Sequence, residues 1–276
     1  MRPARSLALL VLLGALLVAG CGTTYRLAEI DPATAGRAAA MFESSASDRA
    51  RTPAAPAAAL ARFERVAARV RPVAEALCRG EMADGANASC AVEIGIDAGM
   101  VEPNAYFTYA DAGRREPRIM VTPALLADVR NDDELAFVLG HEYGHLIGRH
   151  IQKQEQQAVV GGLLLGALAG AAMQGAPDSQ KVIEDSVNLG MAVGGRAYGQ
   201  TYELESDTLG TLIARGAGYD PVRGAAYFAQ PARAGSAGGR LSFWGTHPPD
   251  ELRLATVMAT AAEIERQGGI RRAAAR

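Results

Sequence analysis

The sequence predicts a mainly helical α+β fold with a small β-sheet beside one well-capped central helix. Three observations predict it. Residues 56–78 carry apolar side chains at steps of three and four, residues 92–96 alternate as a strand does, and Asn131-Asp132-Asp133-Glu134 reads as a helix start. With 49% hydrophobic and 21% charged residues in 276, the chain has a globular balance and enough length for one sizeable core.

Taken in order, Met1–Ser6 carries Arg2 and Arg5, and the 14-residue apolar run Leu7–Gly20 follows. That run is short for a bilayer span and suits the apolar core of a signal peptide, so residues 1–20 are expected to be a leader. The run closes on Leu17-Val18-Ala19-Gly20-Cys21, which resembles the lipobox of bacterial lipoproteins. The resemblance implies cleavage before Cys21 and acylation of its thiol and new amine, as with palmitate. Gly22 stands where a retaining Asp would stand, which points to the outer membrane. Residues 21–55, rich in Ala, Ser, Thr and Pro, are expected to be the lipidated N-terminus and a flexible tether. Residues 56–276 are expected to form the catalytic domain. The chain's 28 Lys and Arg, less the two leader arginines, face 30 Asp and Glu, so no bulk basic field exists to hold nucleic acid.

Leu60, Phe63, Val66, Val70, Val73 and Leu77 make one stripe on a helix from Pro56 to Cys78, with Pro72 as a candidate kink. Cys78 and Cys90 remain once Cys21 is used for lipid. In an oxidising compartment they are a natural disulfide pair, with two separate thiols as the other reading. Val92, Ile94 and Ile96 predict a strand; Tyr106–Tyr109 and Ile119–Thr122 predict a hairpin around Asp111-Ala112-Gly113. Asn131 as cap and Glu134 three residues on predict a capping box, with the helix continuing to about His150. Ala158–Met173 is apolar throughout, with Gly162, Gly166 and Gly170 at steps of four. At about 24 Å it is short of a span, and it reads as a buried or closely packed helix; contact with the membrane is the other reading. Tyr198–Arg215 predicts a helix stopped by Gly216, Tyr219-Asp220-Pro221 opens another, and the last 25 residues predict a final helix with a basic tail.

The chemistry gathers on His141-Glu142-Tyr143-Gly144-His145, in a chain with four His in all. On a helix, positions i and i+4 share a face, so both imidazoles can reach one Zn²⁺ while Glu142 takes a proton from the attacking water. A catalytic zinc needs a third protein ligand. His150 is about 140° off the His145 face, so it is a poor candidate. Glu203 and Asp207, four apart, share a face: Glu203 as ligand, Asp207 as the carboxylate that orients a ligating imidazole. Glu205 is turned elsewhere. One Zn²⁺ per chain is therefore expected.

Asn131 to Leu135, then Val138 to His145, then Glu203-Leu204-Glu205-Ser206-Asp207, then Thr246-His247-Pro248 with Arg253, resemble in order the HtpX/BepA-like family of gluzincin zinc metalloendopeptidases. The CAAX prenyl endopeptidases belong to the same family. The resemblance covers roughly residues 60–260, with Ser206 departing from the usual Ala. It implies a zincin domain, His141, His145 and Glu203 as zinc ligands, and Glu142 as base. It implies His247 over the zinc, as a latch or as an oxyanion stabiliser, with Arg253 in support. It implies a strand near Asn104-Ala105-Tyr106 against which substrate backbone pairs. The lipobox and the lack of a helical-repeat domain look like the LoiP-type lipoprotein members. The expected function is hydrolysis of misfolded or stalled envelope proteins at the periplasmic face of the outer membrane, with lipid anchoring and outer-membrane assembly machinery as partners. The alternative is a chaperone-like assembly lipoprotein with a latched zinc site and little proteolysis.

Overall fold

Helices dominate because apolar side chains recur at helical spacing through most of the chain, and strands occupy one short stretch where alternation replaces it. The computed structural model describes residues 23–46, 52–82, 89–174, 179–196, 199–229, 247 and 250–273. The leader and Cys21 lie outside them. Two compact units emerge: a larger one of Tyr25–Gly148 with Glu203–Arg272, and a smaller one built on Arg149–Tyr202.

In the larger unit, α1 (Pro32–Ala46) packs against the last described helix. This corrects the expected flexible tether over residues 32–46; residues 21, 22 and 47–51 of that expectation lie outside the described residues. Tyr25 is buried and bridges Arg272, and Ala38 and Thr34 of α1 are buried. Few large apolar residues are needed there because α1 buries only a narrow strip, so a composition that suggests a tether also serves a surface helix.

Helix α2 (Pro56–Met82) runs through Pro72. Its buried stripe is Phe63, Val66, Val70, Ala74 and Cys78; Leu60, expected inward, is 44% exposed. Cys78 is bonded to Cys90, so α2 is stapled to the segment leading into the sheet. That sheet has the order β1-β3-β2, from β1 (Glu93–Ile96), β2 (Ala105–Tyr109) and β3 (Pro117–Val121). β2 and β3 form the expected antiparallel hairpin, and β1 runs parallel to β3. Ile94, Phe107, Ile119 and Val121 turn inward.

Thr122 caps the short α3 (Pro123–Asp128). Helix α4 (Asp132–Ile147) follows, nearly all buried. Asn131 accepts from the Glu134 N–H at 3.0 Å, while Glu134 reaches one residue further back than in a capping box, accepting from the Arg130 N–H at 2.7 Å. The expected run to His150 is broken: Gly148 caps α4 and Arg149 adopts the left-handed conformation (φ 54°).

The smaller unit is a helical hairpin, α5 (His150–Ala172) against α6 (Ser179–Gly194). Among the described residues no helix is long and apolar enough to cross a membrane. A Cβ placed on Gly190 would lie 2.1 Å from the Gly161 carbonyl oxygen, so these two backbones touch as only glycine allows.

Helix α7 (Gly199–Gly216) enters the larger unit from Glu203 onward. Asp220 caps α8 (Pro221–Ala225), accepting from Val222 and Arg223 N–H, and a 3₁₀ turn follows over Ala226–Phe228. Helix α9 (Glu251–Gln267) ends at Gly268 (φ 75°), short of the basic tail that the sequence suggested it would include.

Candidate metal centre

Two crossing helices build the site. On α4, His141 and His145 lie one turn apart, with their Nε2 atoms 3.1 Å from each other. Gly144 faces α7 at the crossing: a Cβ there would lie 2.7 Å from the Cα of Ser206. Ser206 is fully buried, so the crossing has room there only for a small side chain. The close approach delivers Glu203, whose Oε2 is 3.4 Å from His141 Nε2 and whose Oε1 is 3.4 Å from His145 Nε2. His247 completes the group, its Nδ1 2.8 Å from Glu203 Oε2 and 3.2 Å from His141 Nε2. One donor atom from each of the four lies within 4.8 Å of all the others.

These separations test the donor set for zinc. Tetrahedral zinc with bonds of roughly 2.0–2.1 Å holds its ligand atoms about 3.3–3.4 Å apart. The adjacent imidazole and carboxylate atoms stand at 2.8 to 3.4 Å and the whole set lies within 4.8 Å, so shifts of about an ångström or less in the side chains bring three of them to that polyhedron. Two imidazole Nε2 atoms facing each other, with a carboxylate beside them, are the nitrogen and oxygen donors zinc takes. The residues fit one Zn²⁺.

Behind the ligands, Asp207 Oδ1 is 2.9 Å from His141 Nδ1, which places the proton on Nδ1 and leaves the Nε2 lone pair for a metal. Arg253 donates to both Asp207 oxygens, Nε at 2.7 Å and Nη2 at 2.8 Å. Its guanidinium lies 4.2 Å from the ring centre of Phe228, which also packs on His141. Arg253 therefore sits behind the ligands, holding the carboxylate that holds His141. Burial disfavours a charged His141, yet Asp207 and Glu203 outweigh it and push its pKa up to about 9. Burial also opposes ionisation of Glu203 and Asp207. His247 and His141 still hold Glu203 well below the usual range, and Arg253 and His141 hold Asp207 below it. Two carboxylates thus stay ionised beside the imidazoles, charge of the sign that favours a bound cation.

Glu142 is buried, and burial pushes its carboxyl pKa up against the pull of His247 and His141. Oε2 accepts from the Phe107 N–H at 2.9 Å; Oε1 lies 3.4 Å from His247 Nε2 and has no hydrogen-bond donor among the described residues. The sheet thus aims the base, a contact that sequence reasoning missed because a backbone N–H leaves no residue signature.

The Thr122 N–H donates to the Asn104 carbonyl and the Ala110 N–H to the Glu116 carbonyl, which fixes the alternation along β2. Even-numbered residues bond to β3, and Ala105, Phe107 and Tyr109 direct their peptide groups to the other edge. Of the expected substrate strand Asn104-Ala105-Tyr106, only Ala105 faces that edge; the peptide groups of Asn104 and Tyr106 are taken by β3. His150, set aside as a ligand, stacks on Tyr202 at 4.6 Å in the smaller unit. Glu205 turns away from the ligands and accepts from the Tyr25 N–H at 2.8 Å.

A helix bearing His-Glu-x-x-His, crossed by a second helix bearing Glu and Asp, is the architecture of a zincin metallopeptidase. Residues 64–261 match the model of peptidase family M48, and the chain belongs to that family. It is also similar to the mitochondrial metalloendopeptidase OMA1 of Arabidopsis thaliana, 31% identical over 157 residues. That match covers 54% of this chain, which spans 30% of that relative's length.

Proposed function

We propose that this chain is a zinc metalloendopeptidase of the HtpX/BepA-like, LoiP-type lipoprotein branch. In this reading it is anchored through Cys21 at the periplasmic face of the outer membrane. Its substrates are misfolded or stalled envelope proteins. The observation that carries the peptidase reading is the convergence of His141, His145 and Glu203, with Glu142 held beside them by the Phe107 N–H. M48 membership supports it, and the lipobox supports the location.

A zinc ion held by His141, His145 and Glu203 would polarise the scissile carbonyl and acidify the attacking water. Glu142 does the proton work. With Oε2 tied to Phe107, Oε1 receives a proton from the water as its oxygen adds to the carbonyl carbon. Glu142 then gives that proton to the amine nitrogen as the C–N bond breaks. The outer edge of β2 at Ala105, buried in this structure, would hold substrate backbone by pairing once uncovered, which selects extended, unfolded chain over a particular sequence.

A second reading rests on His247, whose Nδ1 stands among the ligand atoms and so competes for the position a substrate carbonyl needs. In that reading the protein binds clients for the outer-membrane assembly machinery and cleaves little. Cleavage of unfolded casein, with zinc content measured in parallel, tests both. E142Q is expected to keep about one zinc and to lose cleavage by roughly 10²–10⁴-fold. H247A is expected to cleave several-fold faster than wild type. Zinc with no cleavage by either wild type or H247A would move the function to binding. A folded, metal-supplied protein without zinc would overturn the site.

A further inference from the structure

The outer face of α5 has no role in the zinc site. From Val159 to Ala172 the exposed positions are Val159, Leu163, Leu164, Leu168 and three alanines, with no polar or charged side chain among them. Leu163 is 66% exposed and Leu168 52%. The hairpin does not need this face, because α5 meets α6 through the opposite one, where Gly161, Gly162 and Gly166 lie against Gly190 and Val187. Apolar faces of this extent on soluble proteins are covered by something.

The chain itself indicates what covers it. Lys153, in the first turn of α5, donates to the Thr24 hydroxyl at 3.2 Å, and the Thr24 carbonyl accepts from the Ala273 N–H at 2.9 Å. Cys21 is three residues before Thr24, so covalent reach keeps it within about 11 Å of that anchored point. The apolar face begins about 9 Å along the helix from Lys153 and extends about 20 Å. That is too short for the roughly 30 Å hydrocarbon core and suited to lying in the interface.

We propose that the outer face of α5 lies in the headgroup–acyl boundary of the same bilayer that receives the Cys21 lipid, as a second, non-covalent hold on the smaller unit. This rests on the lipoprotein reading and not on the peptidase reading. The test uses the lipidated, zinc-loaded protein on phosphatidylethanolamine/phosphatidylglycerol vesicles. One environment-sensitive fluorophore is attached at L163C, or at N188C on the exposed polar part of α6. The Cys78–Cys90 bond and acylated Cys21 leave no competing thiol. Acyl-chain nitroxide lipid is expected to quench the label at 163 at least threefold more than at 188, with casein cleavage unchanged in both proteins. Equal, weak quenching at both positions in vesicle-bound protein overturns the proposal. Emission at 163 that follows protein density instead of nitroxide overturns it in favour of a second copy of the chain. Failure to float with vesicles overturns the lipid anchor and this proposal together, while cleavage of casein would leave the peptidase reading standing.

Discussion

Gly144 occupies a variable position of the His-Glu-x-x-His motif, yet the crossing of α4 and α7 depends on it. A Cβ there meets Ser206 backbone at 2.7 and 2.8 Å, atoms that cannot swing aside. G144A is therefore expected to push Glu203 away from His141 and His145, costing about 1–3 kcal/mol of stability and most of the zinc affinity. S206A, which keeps the volume, is expected to keep both, and S206L to lose both; zinc content by mass spectrometry with urea unfolding checks all three. His141, His145, Glu203 and Asp207 were legible in the sequence because each pair lies within one helix, where a spacing of four translates directly into a shared face. The role of Gly144 was not, since a close approach between helices is a property of the pair. His247 and Arg253 depend on long-range contacts too, and were reached only through family resemblance. Within Asn104-Ala105-Tyr106 the sequence did not show that only Ala105 turns its peptide group to the outer edge of β2, because pairing alternation decides that.

At the scale of elements, the join between α2 and α4 sets where the motif helix begins. Arg65 forks onto Asp132 with two bonds of 2.8 Å, and Asp132 sits in the first turn of α4, where a carboxylate also meets the helix dipole. The Arg65 hydrogen bonds hold the Asp132 carboxyl below its ordinary range. A depressed folded-state value means the pair stabilises the fold above the unfolded pKa and loses that contribution as pH falls through the folded one. Both partners are partly exposed, so D132N is expected to cost only about 0.5–1 kcal/mol at neutral pH. The difference from wild type should vanish below the carboxylate range; urea unfolding at the two pH values measures it. A pH-independent difference would place the effect in the helix cap and not the ion pair. α4, α7 and the β2–β3 hairpin were legible because capping residues and alternation are local signals. α6 has an apolar side at helical spacing that went unread, and its pairing with α5 through Gly190 is a property of two helices that leaves no local signal.

For the whole molecule, the N-terminal segment from Tyr25 onward is part of the fold. The Tyr25 N–H donates to buried Glu205, two residues from ligand Glu203 on α7, and Tyr25 bridges Arg272 while Arg272 pairs with Glu81 on α2. Farther along, α1 covers α9, the helix that carries Arg253 and through it orients Asp207 and His141. Two routes thus run from residues the sequence assigned to a tether into the zinc ligands. A chain beginning at Pro56, the boundary that composition suggests, removes both. It takes a donor from a buried carboxylate and uncovers the apolar side of α9, changes worth about 2–4 kcal/mol together. It is expected to unfold at lower urea than a chain beginning at Gly22 and to release zinc faster to a chelator, even though every ligand is present in both. Equal stability and equal zinc retention would mean that α1 and the Tyr25 bridge ride on the surface without supporting the site, and would restore the tether.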